Sequence, residues 1–274
     1  DHGASYIDSL ESPPQPTAAA PCRPYTPGHL HMVRFLARLF LAVWGERVTQ
    51  RLYQAQWRIA YRKRPSTAAI FADAIGFRFI TPPRGWFYAD PFVFKKDNRN
   101  YIFFESGKYG MTKGVIACVE VTGAGAHTPP EVVLERDYHL SYPFLFEWDG
   151  QVYLIPETRR NRTIELYRAV EFPRRWTLEK VLMDNVSAVD ATLYHGEGRF
   201  WLFANTAVDG GASCDELFLF MADSPLGPWK PHPKNPIVSD VRRSRPAGQL
   251  FVHDGQLIRP AQDDSVTYGL SLIH

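Results

Sequence analysis

The chain has 274 residues, 45% of them hydrophobic and 14% aromatic, enough to bury the core of one large domain. A formal net charge of +2, with no basic stripe interleaved with aromatics in its repeated region, excludes the electrostatic footprint of a nucleic-acid binder. Three distant cysteines, Cys22, Cys118 and Cys214, fit neither a disulfide framework nor a metal site and point to a reduced, cytoplasmic compartment.

Residues 1–29 are rich in Pro and Ala and read as a disordered linker. Residues 30–64 read as an amphipathic helical segment. Phe35, Leu36, Leu39, Phe40, Val43, Trp44, Val48 and Leu52 recur at helical spacing, and Arg34, Arg38, Arg47, Arg51, Arg58 and Arg62 line another face. The segment is too short and too charged to span a bilayer. It is expected to pack on a domain, with peripheral contact to a membrane surface as the alternative.

From residue 66 to 274 the chain repeats itself. An apolar pair closes a first strand at Val93-Phe94, Leu145-Phe146, Leu193-Tyr194 and Leu250-Phe251. Each pair is followed by a turn pair: Asp97-Asn98, Asp149-Gly150, Glu197-Gly198 or Asp254-Gly255. Such pairs suit two-residue turns that need positive φ. A second strand then begins at Tyr101, Tyr153, Trp201 or Ile258. The period is about 50 residues, which with four strands per unit is the signature of a β-propeller. The outer halves repeat as well, Glu165 to Trp176 matching Phe218 to Trp229. The expected fold is all-β: a five-bladed β-propeller with four blades visible. The chain opens on Asp1 and stops within a strand-like run at His274, so it reads as a fragment with the fifth blade cut.

The turns set a register. A hairpin turning on residues 97 and 98 places Asp90 opposite Glu105; by the same rule Tyr142 faces Glu157, Asp190 faces Asn205 and Ala247 faces Gln262. Each blade thus offers a polar pair at its open mouth, and four mouths on one ring make a polar site. Asp90, Asp190 and Glu157 are the candidate catalytic carboxylates, since glycoside hydrolysis needs one carboxylate to activate water and an acid to protonate the leaving oxygen. Glu105 could raise a neighbour's pKa or act as the acid. His139, Tyr142, Arg259 and Gln262 are candidate substrate-binding groups. Arg245 could hold a carboxylate or phosphate. Trp86, Tyr88, Tyr142 and Trp148 could stack on sugar rings. The plainer alternatives are a turn cap for each Asp, a structural histidine, and an ion pair between Arg245 and one of the acids. With no Gly-rich phosphate loop, no Gly-x-Ser-x-Gly elbow and no metal-ligand spacing, no cofactor or metal is expected.

The runs Ala89-Asp90-Pro91-Phe92, His139-Leu140-Ser141-Tyr142-Pro143-Phe144, Ile155-Pro156-Glu157-Thr158, Asp190-Ala191-Thr192-Leu193, Gly227-Pro228-Trp229, Arg245-Pro246-Ala247-Gly248 and Arg259-Pro260-Ala261-Gln262 carry a family resemblance. In this order they resemble the N-terminal domain of glucosamine inositolphosphorylceramide transferases and its bacterial relatives. That domain is similar to the five-bladed propellers of arabinanases, β-xylosidases and invertases. The resemblance implies a carbohydrate-recognising domain that works beside a glycosyltransferase domain, fused or neighbouring, on a sugar, glycan or sugar phosphate. It also places Asp90 where those hydrolases carry the general base, and Asp190 where they carry a carboxylate that orients the acid. The acid itself, a Glu opening the fourth blade, is replaced here by Arg245-Pro246. An inverting glycoside hydrolase with Asp90 as base is therefore the second expectation, and a non-catalytic propeller that binds protein the third.

Overall fold

The computed structural model describes residues 28–52, 56–63, 76–123, 125–206, 215–265 and 271–273. The expected linker over residues 1–29 lies almost wholly outside them. The chain divides into two compact units, Glu11–Trp57 and a second containing Arg58–His274.

In the first unit, one helix α1 runs from His29 to Leu52. Its apolar side chains Leu30, Val33, Phe35, Leu36, Leu39, Phe40, Leu41 and Trp44 are exposed. Leu39, Phe40 and Leu41 are consecutive, and successive side chains on a helix point about 100° apart, so the apolar surface is broader than a single stripe. Among the described residues no helix is long and apolar enough to cross a membrane.

The expected helix to residue 64 is cut short. Ile59–Tyr61 is a strand, β1, paired antiparallel with β2 at Arg78–Ile80. Arg58 and Arg62 are four apart, a spacing that shares one face in a helix and also one face in a strand. Ile59 and Ile80, directly opposed, are buried, and that burial decides for the strand. The other face of the ribbon carries Arg58 over the Phe79 ring at 4.0 Å and Arg62 over Phe77 at 4.8 Å.

The blades follow. Blade one is β3 (Trp86–Lys96), β4 (Arg99–Lys108), β5 (Gly114–Val121) and β6 (Glu131–Leu134), hydrogen-bonded in that order. Blade two is β7 (Ser141–Trp148), β8 (Gln151–Thr158), β9 (Thr163–Glu171) and β10 (Arg175–Asp184). Blade three is β11 (Ala188–Gly196), β12 (Arg199–Thr206) and β13 (Glu216–Ala222), with short outer strands β14 (Lys230–Pro231) and β15 (Val238–Ser239) both on β13. Blade four is in pieces: β16 (Phe251–His253) pairs β17 (Gln256–Ile258), and β18 (Ala261–Asp263) pairs β19 (Ser271–Ile273).

All four expected turns form. Asp97 and Asn98, Asp149 and Gly150, Glu197 and Gly198, and Asp254 and Gly255 all have positive φ, as a type I′ turn requires. The inner strands β3, β7 and β11 pack beside one another. One core runs between blades one, two and three through Phe92, Phe103, Leu140, Phe144, Leu154, Tyr167, Leu193 and Leu202. The opposite face of blade one, with Ile102, Phe104 and Val119, packs on the β1–β2 ribbon through Ile59 and Ile80. Leu250 joins blade four to Trp201, Phe203, Leu217 and Leu219 of blade three. Trp176 packs edge-on against Phe103 and Phe172, as a blade-core residue should.

Candidate functional site

The mouths form, but one residue out of the expected register. Ala89 pairs Glu105, Ser141 pairs Glu157, and Val189 pairs Asn205. The expected pairing resumes at Phe92–Phe103, Phe144–Ile155 and Thr192–Phe203. Each inner strand therefore carries a β-bulge at the mouth. At its centre Asp90, Tyr142 and Asp190 adopt φ of 49°, 42° and 54°. A bulge bends its strand and re-aims one side chain. The same device at three equivalent places turns these three side chains away from the strand's alternation and brings them together. In blade four the mouth departs differently: Pro246 bridges Ala261, and Ala247 N–H donates to Pro260 O at 3.1 Å. Pro260 interrupts the strand there, so the Ala247–Gln262 pairing does not form.

Asp190 is the buried centre of the cluster. Arg245 Nε donates to Asp190 Oδ2 at 2.5 Å, and Arg245 Nη1 lies 3.9 Å from Asp264 Oδ2. Glu157 hydrogen-bonds Asp190 as well. Burial pushes both carboxyls up, Glu157 well above the ordinary carboxylate range, while the Arg245 guanidinium pulls Asp190 back down. Arg245 is thus the ion-pair partner of the plainer reading, and the expectation that it holds a ligand's carboxylate or phosphate is corrected.

Tyr142 links three blades. Gly248 N–H donates to the Tyr142 hydroxyl at 2.8 Å. That hydroxyl lies 2.8 Å from Thr192 Oγ1, and Thr192 Oγ1 donates to the Asp190 carbonyl at 3.1 Å. The proton direction follows, because the single Thr192 hydroxyl proton goes to the Asp190 carbonyl, so Tyr142 is the donor to Thr192. Tyr142 is buried and cannot offer a stacking face.

Glu105 is buried beside His139, whose Nε2 is 3.3 Å from Glu105 Oε1. His139 Nδ1 accepts from Gly114 N–H at 2.9 Å, which fixes the neutral imidazole with its proton on Nε2, aimed at Glu105. Burial, then the Asp90 and Asp190 charges, lift Glu105 to about 8, while burial lowers His139. A Cβ on Gly114 would sit 2.8 Å from Glu105 Oε1, His139 Cε1 and Leu140 O, so only glycine lets blade one and this pair close up. Sequence reasoning passed over Gly114; an isolated glycine opening a strand was the signal for a close approach.

Asp90 differs from its neighbours. It keeps some accessible surface, and its one hydrogen bond among the described residues is from Tyr142 N–H to Oδ2 at 3.3 Å. Burial first and the Asp190 charge second raise it to about 6. At neutral pH the site therefore holds an ionised Asp90 next to a protonated Glu105.

The remaining candidates divide. Trp86 is exposed at the mouth end of β3, four residues before Asp90. Gln262 Nε2 donates to Pro246 O at 3.1 Å and Arg259 Nη2 to Arg243 O at 2.5 Å, so both brace blade four. Tyr88 is buried against Phe104, and Trp148 sits at the turn end of blade two against Phe200. Neither stands at the mouth, because Trp148 adjoins the turn and Tyr88 points to the ribbon side of the blade. Among the described residues no group of three or more His, Cys, Asp or Glu could hold a metal ion.

Residues 79–273 match the family described as glucosamine inositolphosphorylceramide transferase 1, N-terminal, and the chain belongs to that family. It is 38% identical over 187 residues to the glucosamine inositolphosphorylceramide transferase 1 proteins of Oryza sativa subsp. japonica and Arabidopsis thaliana, covering 67% of this chain in each case. Those stretches are 25% and 24% of the two relatives, so the chain spans about a quarter of the length of the curated relatives it matches. Among solved structures it is similar to Zg3597, a family 117 glycoside hydrolase of Zobellia galactanivorans (TM-score 0.53, 16% identity, 66% of this chain and 64% of that one). It is also similar to an exo-β-1,3-galactanase of Phanerochaete chrysosporium (TM-score 0.51, 14% identity, 70% and 48%). The shared fold is the five-bladed β-propeller.

Proposed function

We propose that this member of the family is a carbohydrate-recognising propeller domain that serves glycosyl transfer onto a glycan or glycolipid, beside a transferase domain. The observation that carries the reading is Asp90. Its neighbours Asp190, Glu157 and Glu105 are engaged with Arg245, each other or His139, whereas Asp90 is half-buried and accepts a single long hydrogen bond. A carboxylate with so few partners, on a strained bulge, suits a sugar hydroxyl or amine. Exposed Trp86 at the same end of the blade supplies a ring face. Calorimetric titration against a glycan panel tests this: the wild type binds a member of the panel and Asp90→Asn does not. Equal binding by both proteins, or binding by neither, rejects it.

A second reading rests on the split of the two acids. Asp90 near 6 is a base and Glu105 near 8 an acid at neutral pH, the pairing that inverting hydrolysis needs. Arg245 at the head of blade four weighs against it. Release of product from aryl arabinosides or xylosides, abolished in Asp90→Asn and Glu105→Gln, decides for this reading; inactivity decides against it.

Contact with a membrane surface belongs to the same proposal. Its support is α1, where exposed apolar side chains accompany Arg34 and Arg38. Sedimentation with anionic vesicles, reduced by Phe35→Glu or Leu39→Glu, is the expected result, and unchanged sedimentation removes the membrane contact.

A further inference from the structure

We propose that Arg159 and Arg160 form a phosphoryl-binding subsite at the rim of the Asp90 cluster, so that the ligand of this site is a phosphorylated sugar. The proposal rests on the carbohydrate reading above and deepens it.

The place of the two residues is set by the fold. Strand β8 carries Glu157 and ends at Thr158, and a 3-10 turn of Arg159, Arg160 and Asn161 follows at once. Ser141, which pairs Glu157, opens β7, so this turn leaves the blade on the mouth side. Arg159 Nε donates to Ser187 Oγ at 3.2 Å. Ser187 immediately precedes β11, whose start is the mouth of blade three. The turn therefore bridges two blade mouths at the rim. Arg162 closes it in the left-handed conformation, its Nη2 donating to Asn185 O at 3.4 Å.

The charges point the same way. Arg159 and Arg160 are exposed, and no acid pairs with either among the described residues. Both are close enough to the cluster to be felt there: the Arg159 charge acts on Glu157 and the Arg160 charge on His139. Several other exposed arginines of the blades do pair with an acid, Arg174 with Glu131, Arg175 with Glu171 and Arg242 with Asp240, whereas Arg162, which closes the same turn, donates only to a backbone carbonyl. The other cation of the cluster, Arg245, is held by Asp190 and Asp264. The floor of the site is thus acidic and repels an anion, while the rim offers two guanidinium forks beside it. Guanidinium forks match the oxygens of a phosphoryl group. A ligand with hydroxyls at one end and a phosphate at the other fits that polarity, sugar on Asp90 and phosphate on Arg159 and Arg160.

The test uses the whole chain and four probes by calorimetry: inorganic phosphate, glucose, glucose 1-phosphate and myo-inositol 1-phosphate. The wild type is expected to bind inorganic phosphate weakly and at least one sugar phosphate about tenfold tighter than glucose. Arg159→Ala/Arg160→Ala should abolish phosphate binding and erase the tenfold gain, with a thermal midpoint lowered only by the loss of the exposed Arg159–Ser187 hydrogen bond. Arg160→Lys should keep part of it. Phosphate binding that survives the double substitution, or no phosphate binding by the wild type, overturns the subsite. Glucose binding that Asp90→Asn removes would in that event leave the carbohydrate reading standing. The converse result, phosphate binding that needs the arginines with no sugar adding to it, retains the subsite and rejects the sugar.

Discussion

Arg245 Nε and Asp190 Oδ2 meet at 2.5 Å across the junction of blades three and four, both side chains almost wholly buried. Removing one member strands the other's charge in a dry site. Arg245→Ala is therefore expected to cost about 3–5 kcal/mol. Asp190→Asn/Arg245→Met should recover part of that loss, since Asp190 then carries no charge to strand, while Asp264 still loses its cation. Urea unfolding midpoints check both, and a double variant less stable than Arg245→Ala would contradict the argument.

The raised carboxyls give stability an uncommon pH dependence. Asp90 at about 6 and Glu105 at about 8 hold protons in the folded state that the unfolded chain releases near their ordinary values of 3.8 and 4.5. Their contribution is present in full below those values and is lost as pH rises through 6 and 8. The thermal midpoint should fall by a few degrees, about 2–4 °C per kcal/mol at this size, between pH 5 and pH 8.5. Glu105→Gln should flatten the alkaline part of the fall. A midpoint that rises over this range would refute the assignment.

Glu165 opposes that trend at lower pH. It accepts from Asn161 Nδ2 at 2.8 Å, Thr163 Oγ1 at 2.8 Å, Tyr138 hydroxyl at 2.7 Å and the Tyr167 hydroxyl. Burial raises its pKa, but these four donors outweigh burial and hold it below the ordinary value. Its contribution is present above the ordinary pKa and is lost as pH falls below it. Glu165→Ala leaves four donors without their acceptor and should cost about 3 kcal/mol or more in denaturant titrations.

Gly114→Ala probes the closeness of blade one to His139. The new methyl meets the Leu140 backbone carbonyl as well as two side chains, so rotamer changes cannot absorb it. A loss of about 1–3 kcal/mol is expected, with the Glu105 titration moved toward its ordinary value as water enters. NMR titration of the Glu105 carboxyl would show this; an unmoved Glu105 would mean that the pair does not depend on the glycine.

Asp90→Asn separates strain from charge. Asn tolerates positive φ as Asp does, so the bulge should persist. The substitution removes a carboxylate that burial disfavours, so the variant should be more stable than wild type at pH 8 and closer to it at pH 5. Equal stabilisation at both values would show that charge is not the reason.

The fold was legible wherever the signal was local. The turn pairs Asp97-Asn98, Asp149-Gly150, Glu197-Gly198 and Asp254-Gly255 encode their own φ values, and all four hairpins follow from them. The mouths were legible in composition and not in register. Counting back from a turn assumes an unbroken ladder, and Asp90, Tyr142 and Asp190 are the residues at which the ladder breaks. Nothing in a tyrosine announces φ of 42°. Positive φ at Tyr142 is sustained by contacts 50 and 106 residues away, to Thr192 and Gly248. The start of the propeller was missed because Arg58 and Arg62 suit a helix and a strand equally well, and only the distant Ile80 tells Ile59 which to join.

The hydrogen-bonded line from Gly248 through Tyr142 and Thr192 to Asp190 bears on how such a protein can be rebuilt. Repeats invite exchange, as if each blade were a cassette to be shuffled, duplicated or grafted from a related chain. Here a phenol rooted in one blade needs a hydroxyl from the next and an amide from the one after. A chimera that transplants blade two, three or four alone severs this line, however well its hairpins match. The three must be inherited together.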